Sequence, residues 1–199
     1  MCGRFYVAED EENELLAAMI REASRKSQAR IGAPVAVGEV TPASPVAALA
    51  LGKTGAEGTF PMLWGYHRPE GKGLLINTRS ETALQKPMFR DSMLHRRCLL
   101  PLSWYFEWER RDRQKIKYAI RPRTAGLLYL AGIYRFEEGQ PLPVCSVLTQ
   151  DAAPEIAFIH PRMPVIFSEE NRKDWLRRDA DPARVLATCQ KQMTYRAAE

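Results

Sequence analysis

No two of the four cysteines, Cys2, Cys98, Cys145 and Cys189, stand near enough in the chain to form a CxxC pair. That spacing argues against a zinc site and gives no sign of a disulfide framework. Histidine is scarce too, with three in 199 residues, which argues against a His-rich metal centre. No metal and no organic cofactor are therefore expected. No apolar segment approaches the ~20 residues that a membrane helix needs, and no basic segment followed by an apolar run opens the chain. The expectation is a cytoplasmic protein with no membrane partner, in a compartment where thiols stay reduced. Repeats, low-complexity tracts, linkers and heptads are also missing, so a single domain over 1–199 and a monomer are expected.

What is present suits a globular chain. The content is 45% hydrophobic and 27% charged, and the length allows a sizeable core. A net charge of +5 favours an anionic partner, nucleic acid first.

The most informative stretch is Met1-Cys2-Gly3-Arg4. Cys2 is small enough for Met1 to be trimmed, which would leave an α-amine and a thiol on one residue. An amine titrating near ~8 and a thiol near ~8.5 are both partly nucleophilic at neutral pH. Together they make a 1,2-aminothiol, able to attack an aldehyde through nitrogen and close a thiazolidine through sulfur. A plain alternative remains, since Cys is also a small hydrophobe.

Along the chain, Cys2 to Tyr6 looks strand-like, and 9–28 has helical spacing with an apolar stripe of Leu15, Leu16, Met19, Ile20 and Ala23. Acidic residues at 9–12 and basic ones at 21–30 match its dipole. Residues 31–61 read as extended segments and turns. Short apolar runs at 62–64, 74–76, 98–100, 117–120, 127–134, 144–148 and 165–167 have strand length. Helices are expected at 152–159, at 168–178 capped by Ser168, and at 182–189 capped by Asp181. The fold class is α+β, a mostly antiparallel, barrel-like sheet with flanking helices.

Four places set polar groups against apolar runs. Asn77 follows Leu74-Leu75-Ile76, where a buried amide needs partners; a turn-forming Asn is the plainer reading. Glu107 sits within Trp104-Tyr105-Phe106-Glu107-Trp108. Turned inward it would be desolvated, an environment suited to acid–base work. Alternation instead puts Phe106 and Trp108 on one side and Glu107 on the other, facing solvent. His160 ends an apolar run and is pinned by Pro161, and an imidazole is the usual proton shuttle. Arg4 could hold a phosphate or form a salt bridge. Together these four places and Cys2 supply a nucleophile, an amide, a carboxyl group, an imidazole and a cation.

In order and spacing, Met1-Cys2-Gly3-Arg4, 75–82 (LINTRSET), 97–101 (RCLLP) leading into Phe106-Glu107-Trp108, and 159–164 (IHPRMP) resemble the SOS-response-associated peptidase (SRAP) family. Trp64-Gly65-Tyr66 and 130–134 (LAGIY) look like its motifs too. The resemblance implies a partner, single-stranded DNA containing abasic sites, and a covalent crosslink to the ring-opened aldehyde through Cys2. It also implies self-processing that frees Cys2 and Schiff-base, lyase-type chemistry, with nucleoid association during repair. By position, Cys2 is the nucleophile, Asn77 orients the opened sugar, Glu107 protonates the ring oxygen, and His160 moves protons in opening and reversal. Arg4, Arg79 and Arg162 are similar to phosphate contacts. Pro42, Trp108 and Thr149 stand at positions of the DNA groove.

Three departures stand out. Residues 67–73 carry no aromatic where many bacterial members have a tryptophan pair thought to wedge beside the lesion. Trp104 replaces a common glycine, and the tail after Cys189 lacks a His/Tyr-Pro-Val-Ser segment. Two other function classes stay open. One is a thiol peptidase with Cys2 activated by His160 and oriented by Asn77 or Glu107. The other is a non-catalytic nucleic-acid binder.

Overall fold

The computed structural model describes residues 2–8, 13–69, 71–112, 114–124 and 126–198. Met1, the acidic residues at 9–12 and Glu70 lie outside the described residues. In chain order the elements are β1 (Phe5–Val7), α1 (Glu14–Ile31), β2 (Gly38–Val40), β3 (Pro45–Leu51), β4 (Glu57–Trp64), β5 (Tyr66–His67), β6 (Leu74–Leu75) and β7 (Asn77–Arg79). Then follow α2 (Ser80–Ala83), α3 (Pro87–His95), β8 (Arg97–Leu102), β9 (Trp104–Arg111), β10 (Gln114–Pro122), β11 (Leu128–Arg135) and β12 (Val144–Asp151). The chain continues through β13 (Arg162–Pro164), β14 (Ile166–Ser168), α4 (Arg172–Leu176), α5 (Pro182–Leu186) and β15 (Met193–Ala197).

The result is α+β and mostly β. One sheet runs β13-β12-β4-β3-β8-β11-β14, and an added β12–β11 pairing turns it into a ring. Pairing is antiparallel except where β12 meets β4 and β7. Every residue of β8 is buried, as a strand covered on both faces must be. The second sheet, β15-β10-β9-β1-β2, carries the chain's first strand between β9 and β2. Its pairing with β9 brings the segment before β1 against the middle of the chain.

Helix α1 begins at Asn13, whose Oδ1 accepts the Leu16 N–H at 3.1 Å, and ends at Gly32 in the left-handed conformation (φ 69°). Its buried face is Leu16, Met19, Ala23 and Ser27; Leu15, expected in the stripe, is 46% exposed. Gly65 (φ 127°) turns the chain out of β4, and a Cβ there would sit 2.9 Å from Leu74. The Trp64 indole beside it donates to the Ile76 carbonyl at 3.1 Å, fixing the stretch that leads into Asn77.

Two expected helices are corrected. Residues 154–159 form turns, not a helix. The pairing of Asp151 with Arg162, continued by the Ala152 N–H to Pro161 carbonyl bond at 3.0 Å, pins both ends of this loop together. A helix rising 1.5 Å per residue would drive those ends apart. Ser168 ends β14, and α4 starts after Asn171; the Ser168 N–H and hydroxyl both donate to Asn171 Oδ1, at 2.9 and 3.1 Å. Asp181 caps α5 as expected, accepting from the Ala183 N–H at 2.9 Å. Among the described residues no helix is long and apolar enough to cross a membrane.

Candidate functional site

The Arg4 carbonyl accepts the Phe106 N–H at 2.8 Å, extending the β1–β9 pairing back towards Cys2. Cys2 is fully buried. Its thiol donates to the Arg4 carbonyl at 3.9 Å, and its own carbonyl accepts the Asn77 Nδ2 amide at 2.8 Å. Asn77 is held there because β7 pairs in parallel with β12, opposite Val147. The Asn77 Oδ1 is buried and has no hydrogen-bond partner among the described residues. The plain turn reading of Asn77 is thus replaced by a strand residue with its amide in the interior.

Glu107 is 5% exposed, so alternation misplaced it. Both faces of β9 are covered at its centre, where Tyr105, Phe106 and Glu107 are all buried. The charge of Glu107 is felt at the Cys2 thiol. Burial first, and then the Glu107 charge, push that thiol up to about 12. The expectation of a partly ionised thiol is therefore corrected: at neutral pH it stays S–H. Tyr105 is also wholly buried and its hydroxyl has no hydrogen-bond partner among the described residues. Burial raises this phenol, and the proximity of Cys2 and Glu107 adds to the effect. Sequence reasoning missed Tyr105, although its place two residues before Glu107 on a strand was the signal.

Glu107 also lines a cleft of about 600 Å³ with Trp108, Arg110, Lys115, Phe158, Ile159, His160 and Pro161. Nδ1 of His160 lies 2.9 Å from the Arg162 main-chain nitrogen and 3.1 Å from the Arg162 carbonyl oxygen, which fixes the ring against that backbone. Glu107 thus joins the buried thiol to the open cleft, with the imidazole on the cleft wall. Arg4 lies 5.4 Å from the Trp108 ring centroid and ion-pairs with Glu39 at 2.5 Å.

The remaining expected contacts are scattered. Arg79 is exposed at the end of β7. Arg162 is engaged internally, with Glu81 at 2.7 Å, Asp151 at 2.5 Å and the Thr149 carbonyl at 2.8 Å. Thr149 is fully buried, its hydroxyl 3.5 Å from the Thr78 carbonyl. Pro42 lies half-buried in a turn; neither Pro42 nor Thr149 lines the cleft. Among the described residues no group of three or more His, Cys, Asp and Glu side chains is placed to hold a metal. A second cavity of about 600 Å³, between α1 and the β3–β4 hairpin, touches none of these residues.

Frame and cleft together define a class: β-rich α+β proteins that build a cysteine beside the amino terminus into an interior site. The chain belongs to one such family, SOS response associated peptidase (SRAP), whose model matches residues 1–198. It is 36% identical over 129 residues to the abasic site processing protein YoqW of Bacillus subtilis. That match covers 60% of this chain and 58% of the relative, so the chain spans little more than half of that protein. The abasic site processing protein YedK of Escherichia coli is 28% identical over 182 residues, 90% of this chain and 81% of that one. A crystal structure of a Bacteroides thetaiotaomicron protein shares the fold, with a TM-score of 0.78 at 19% identity, covering 100% of this chain and 92% of that one.

Proposed function

We propose that this protein binds abasic sites in single-stranded DNA and joins them covalently to Cys2 as a thiazolidine, shielding the lesion. The carrying observation is the placement of Cys2, clasped by Asn77 at its carbonyl and set beside a buried Glu107 that opens onto the cleft. The relatives' shared description as abasic site processing proteins supports the substrate class.

The chemistry follows from these groups. Hydrolysis of the Met1–Cys2 bond, by self-processing, frees the amine. The C1–O4 bond of the sugar breaks to give an aldehyde, with the Glu107 carboxyl donating a proton to the departing ring oxygen and the C1 hydroxyl passing its own proton to His160. The amine adds to the aldehyde carbon, and the resulting hydroxyl takes that proton back and leaves as water, giving an iminium. The Cys2 sulfur then attacks that carbon; its proton passes to the Glu107 carboxylate and the iminium electrons return to nitrogen. The hydrolysis consumes one water, the condensation releases one, and no oxidant is needed. A thiol held protonated until the iminium forms imposes an order, nitrogen first and sulfur second. Closing the ring removes the iminium that would otherwise permit β-elimination and strand cleavage. His160 on the cleft wall is placed to exchange protons during ring opening and reversal.

A thiol peptidase acting on other chains has less support. Such enzymes need a thiolate, whereas here burial favours the S–H form.

The test is incubation with a single-stranded oligonucleotide carrying one abasic site, followed by a denaturing gel. Wild type should give a shifted band that the undamaged oligonucleotide lacks, and Cys2→Ala should give none. Equal crosslinking by Cys2→Ala would end the proposal. Intact mass should show loss of Met1 in the reactive protein.

A further inference from the structure

Side chains alternate across β9. While Tyr105 and Glu107 turn towards Cys2, Trp104, Phe106 and Trp108 take the opposite face. Each of these three rings carries a cation. Arg196 lies 5.6 Å from the Trp104 centroid, Lys117 4.3 Å from that of Phe106, and Arg4 5.4 Å from that of Trp108. Strand register produces the row. Lys117 pairs with Trp108 and Ala119 with Phe106 across β10, and Ala119 pairs in turn with Arg196 on β15. On the other side Tyr6 pairs with Trp104 and stacks on it at 4.4 Å, nearly parallel.

The two ends of this row differ in charge. At the Trp108 end, Glu39 takes both Arg4 and Lys117, at 2.5 and 2.9 Å. At the Trp104 end, neither Arg121 nor Arg196 pairs with a carboxylate among the described residues; Arg121 donates only to the Gly126 carbonyl at 3.3 Å. A cavity of about 290 Å³ lies there, bounded by Trp104, Ala119, Arg121, Thr194 and Arg196. The Trp104 indole N–H is buried beside it, also without a hydrogen-bond partner among the described residues.

We propose that this outer face of β9 is a second nucleic-acid subsite, a track for the strand that flanks the lesion. It deepens the abasic-DNA reading and rests on it. The backbone runs from the cleft at Trp108 to the far cavity, where Arg121 and Arg196 hold a phosphate. A base lies against the half-buried rings of Trp104 or Trp108 at the ends of the row, while the buried Phe106 sits behind Lys117 between them, as in other single-strand binders that interleave cations with rings. From Trp104 to Trp108 the strand rises ~13 Å, about four nucleotides at the ~3.4 Å stacking repeat. Only one side of the lesion is served, because the row leaves the cleft in one direction.

The test uses fluorescent single-stranded oligonucleotides bearing a tetrahydrofuran abasic analogue, which cannot crosslink, with either flank lengthened one nucleotide at a time. Anisotropy should show wild-type affinity rising about tenfold over the first four nucleotides of one flank, and staying level on the other. Arg121→Gln/Arg196→Gln should lose that rise, and its slope of log affinity against log salt should fall by ~0.7, the share of the one phosphate they hold. Arg121→Lys/Arg196→Lys should restore the slope. A flat wild-type dependence on both flanks, or an unchanged rise and slope in the glutamine variant, would overturn the track. The underlying reading fails separately, if wild type does not crosslink a natural abasic oligonucleotide. Crosslinking without any flank effect overturns the track alone.

Discussion

The Asn77 carboxamide nitrogen donates to the main-chain carbonyl of Cys2 at 2.8 Å, joining residues 75 positions apart. The bond needs a donor on the side chain, because the carbonyl accepts. An aspartate in its place would set a carboxylate against that oxygen. Misplacing a reacting group by ~1 Å can cost ~100-fold in rate. Asn77→Asp and Asn77→Ala are therefore both expected to slow crosslinking by ~10- to 100-fold, measured in single-turnover gels. An unchanged rate for Asn77→Asp would remove the carbonyl clasp from the mechanism.

Glu107→Gln keeps the shape and removes a group able to give and take a proton. Crosslinking should slow by ~10²- to 10⁴-fold, the usual range for a lost acid–base group. Affinity for the uncrosslinkable analogue should stay within about twofold. A parallel fall in affinity would make Glu107 a binding residue instead.

Burial and the Glu107 charge hold the Cys2 thiol proton up to about 12, against ~8.5 in an unfolded chain. The folded state thus binds this proton more tightly. Its contribution to stability is full below ~8.5 and declines as pH rises towards 12. Alkylation of native Cys2 by iodoacetamide should climb through pH 8 to 10 without levelling off, followed by peptide mass spectrometry. The urea-unfolded protein should level near pH ~9.5, past its midpoint. Glu107→Gln should speed the native reaction by lowering the thiol again. A native midpoint near 8.5 would refute the buried S–H.

Lys117 first, and then Arg4, hold the Glu39 carboxyl below the ordinary carboxylate range. Glu39 is consequently ionised at neutral pH, and the stabilising pairs are lost only as pH falls through that lowered value. Glu39→Gln removes the carboxylate that Arg4 and Lys117 share at the Trp108 end of the row. Single-strand affinity should rise about three- to fivefold at low salt, and its salt slope should steepen. Equal affinities at low salt would mean that Arg4 and Lys117 do not face the DNA.

Several elements were legible in the residue pattern. Each apolar run bounded by Gly, Pro or charge became part of a strand, and Asp181-Pro182 marked a helix start. What failed depended on contacts far along the chain. Nothing local says that both faces of β9 are covered, so alternation by itself points Glu107 to solvent. Nothing near Ala152 reveals that Arg162 returns to pair with Asp151 and leaves room only for turns. Helix α3 was legible but passed over, with Pro87 in its first turn and Phe89 and Met93 on its buried side. At the site, residue types pointed to an amide, an acid and an imidazole. The protonated thiol was hidden, because burial of Cys2 is set by strands that arrive much later.

That lateness bears on synthesis. Strand β12 is shared by β4, β7, β11 and β13, so the ring that anchors Asn77 closes only after most of the chain has left the ribosome. His160 emerges later still. Pairings between distant segments are slow to form, and a nascent chain carries Cys2 without its amide clasp, its acid or its imidazole. Translation thus sets the order in which the surroundings of Cys2 are assembled, with the residue itself made first and the groups that enclose it last.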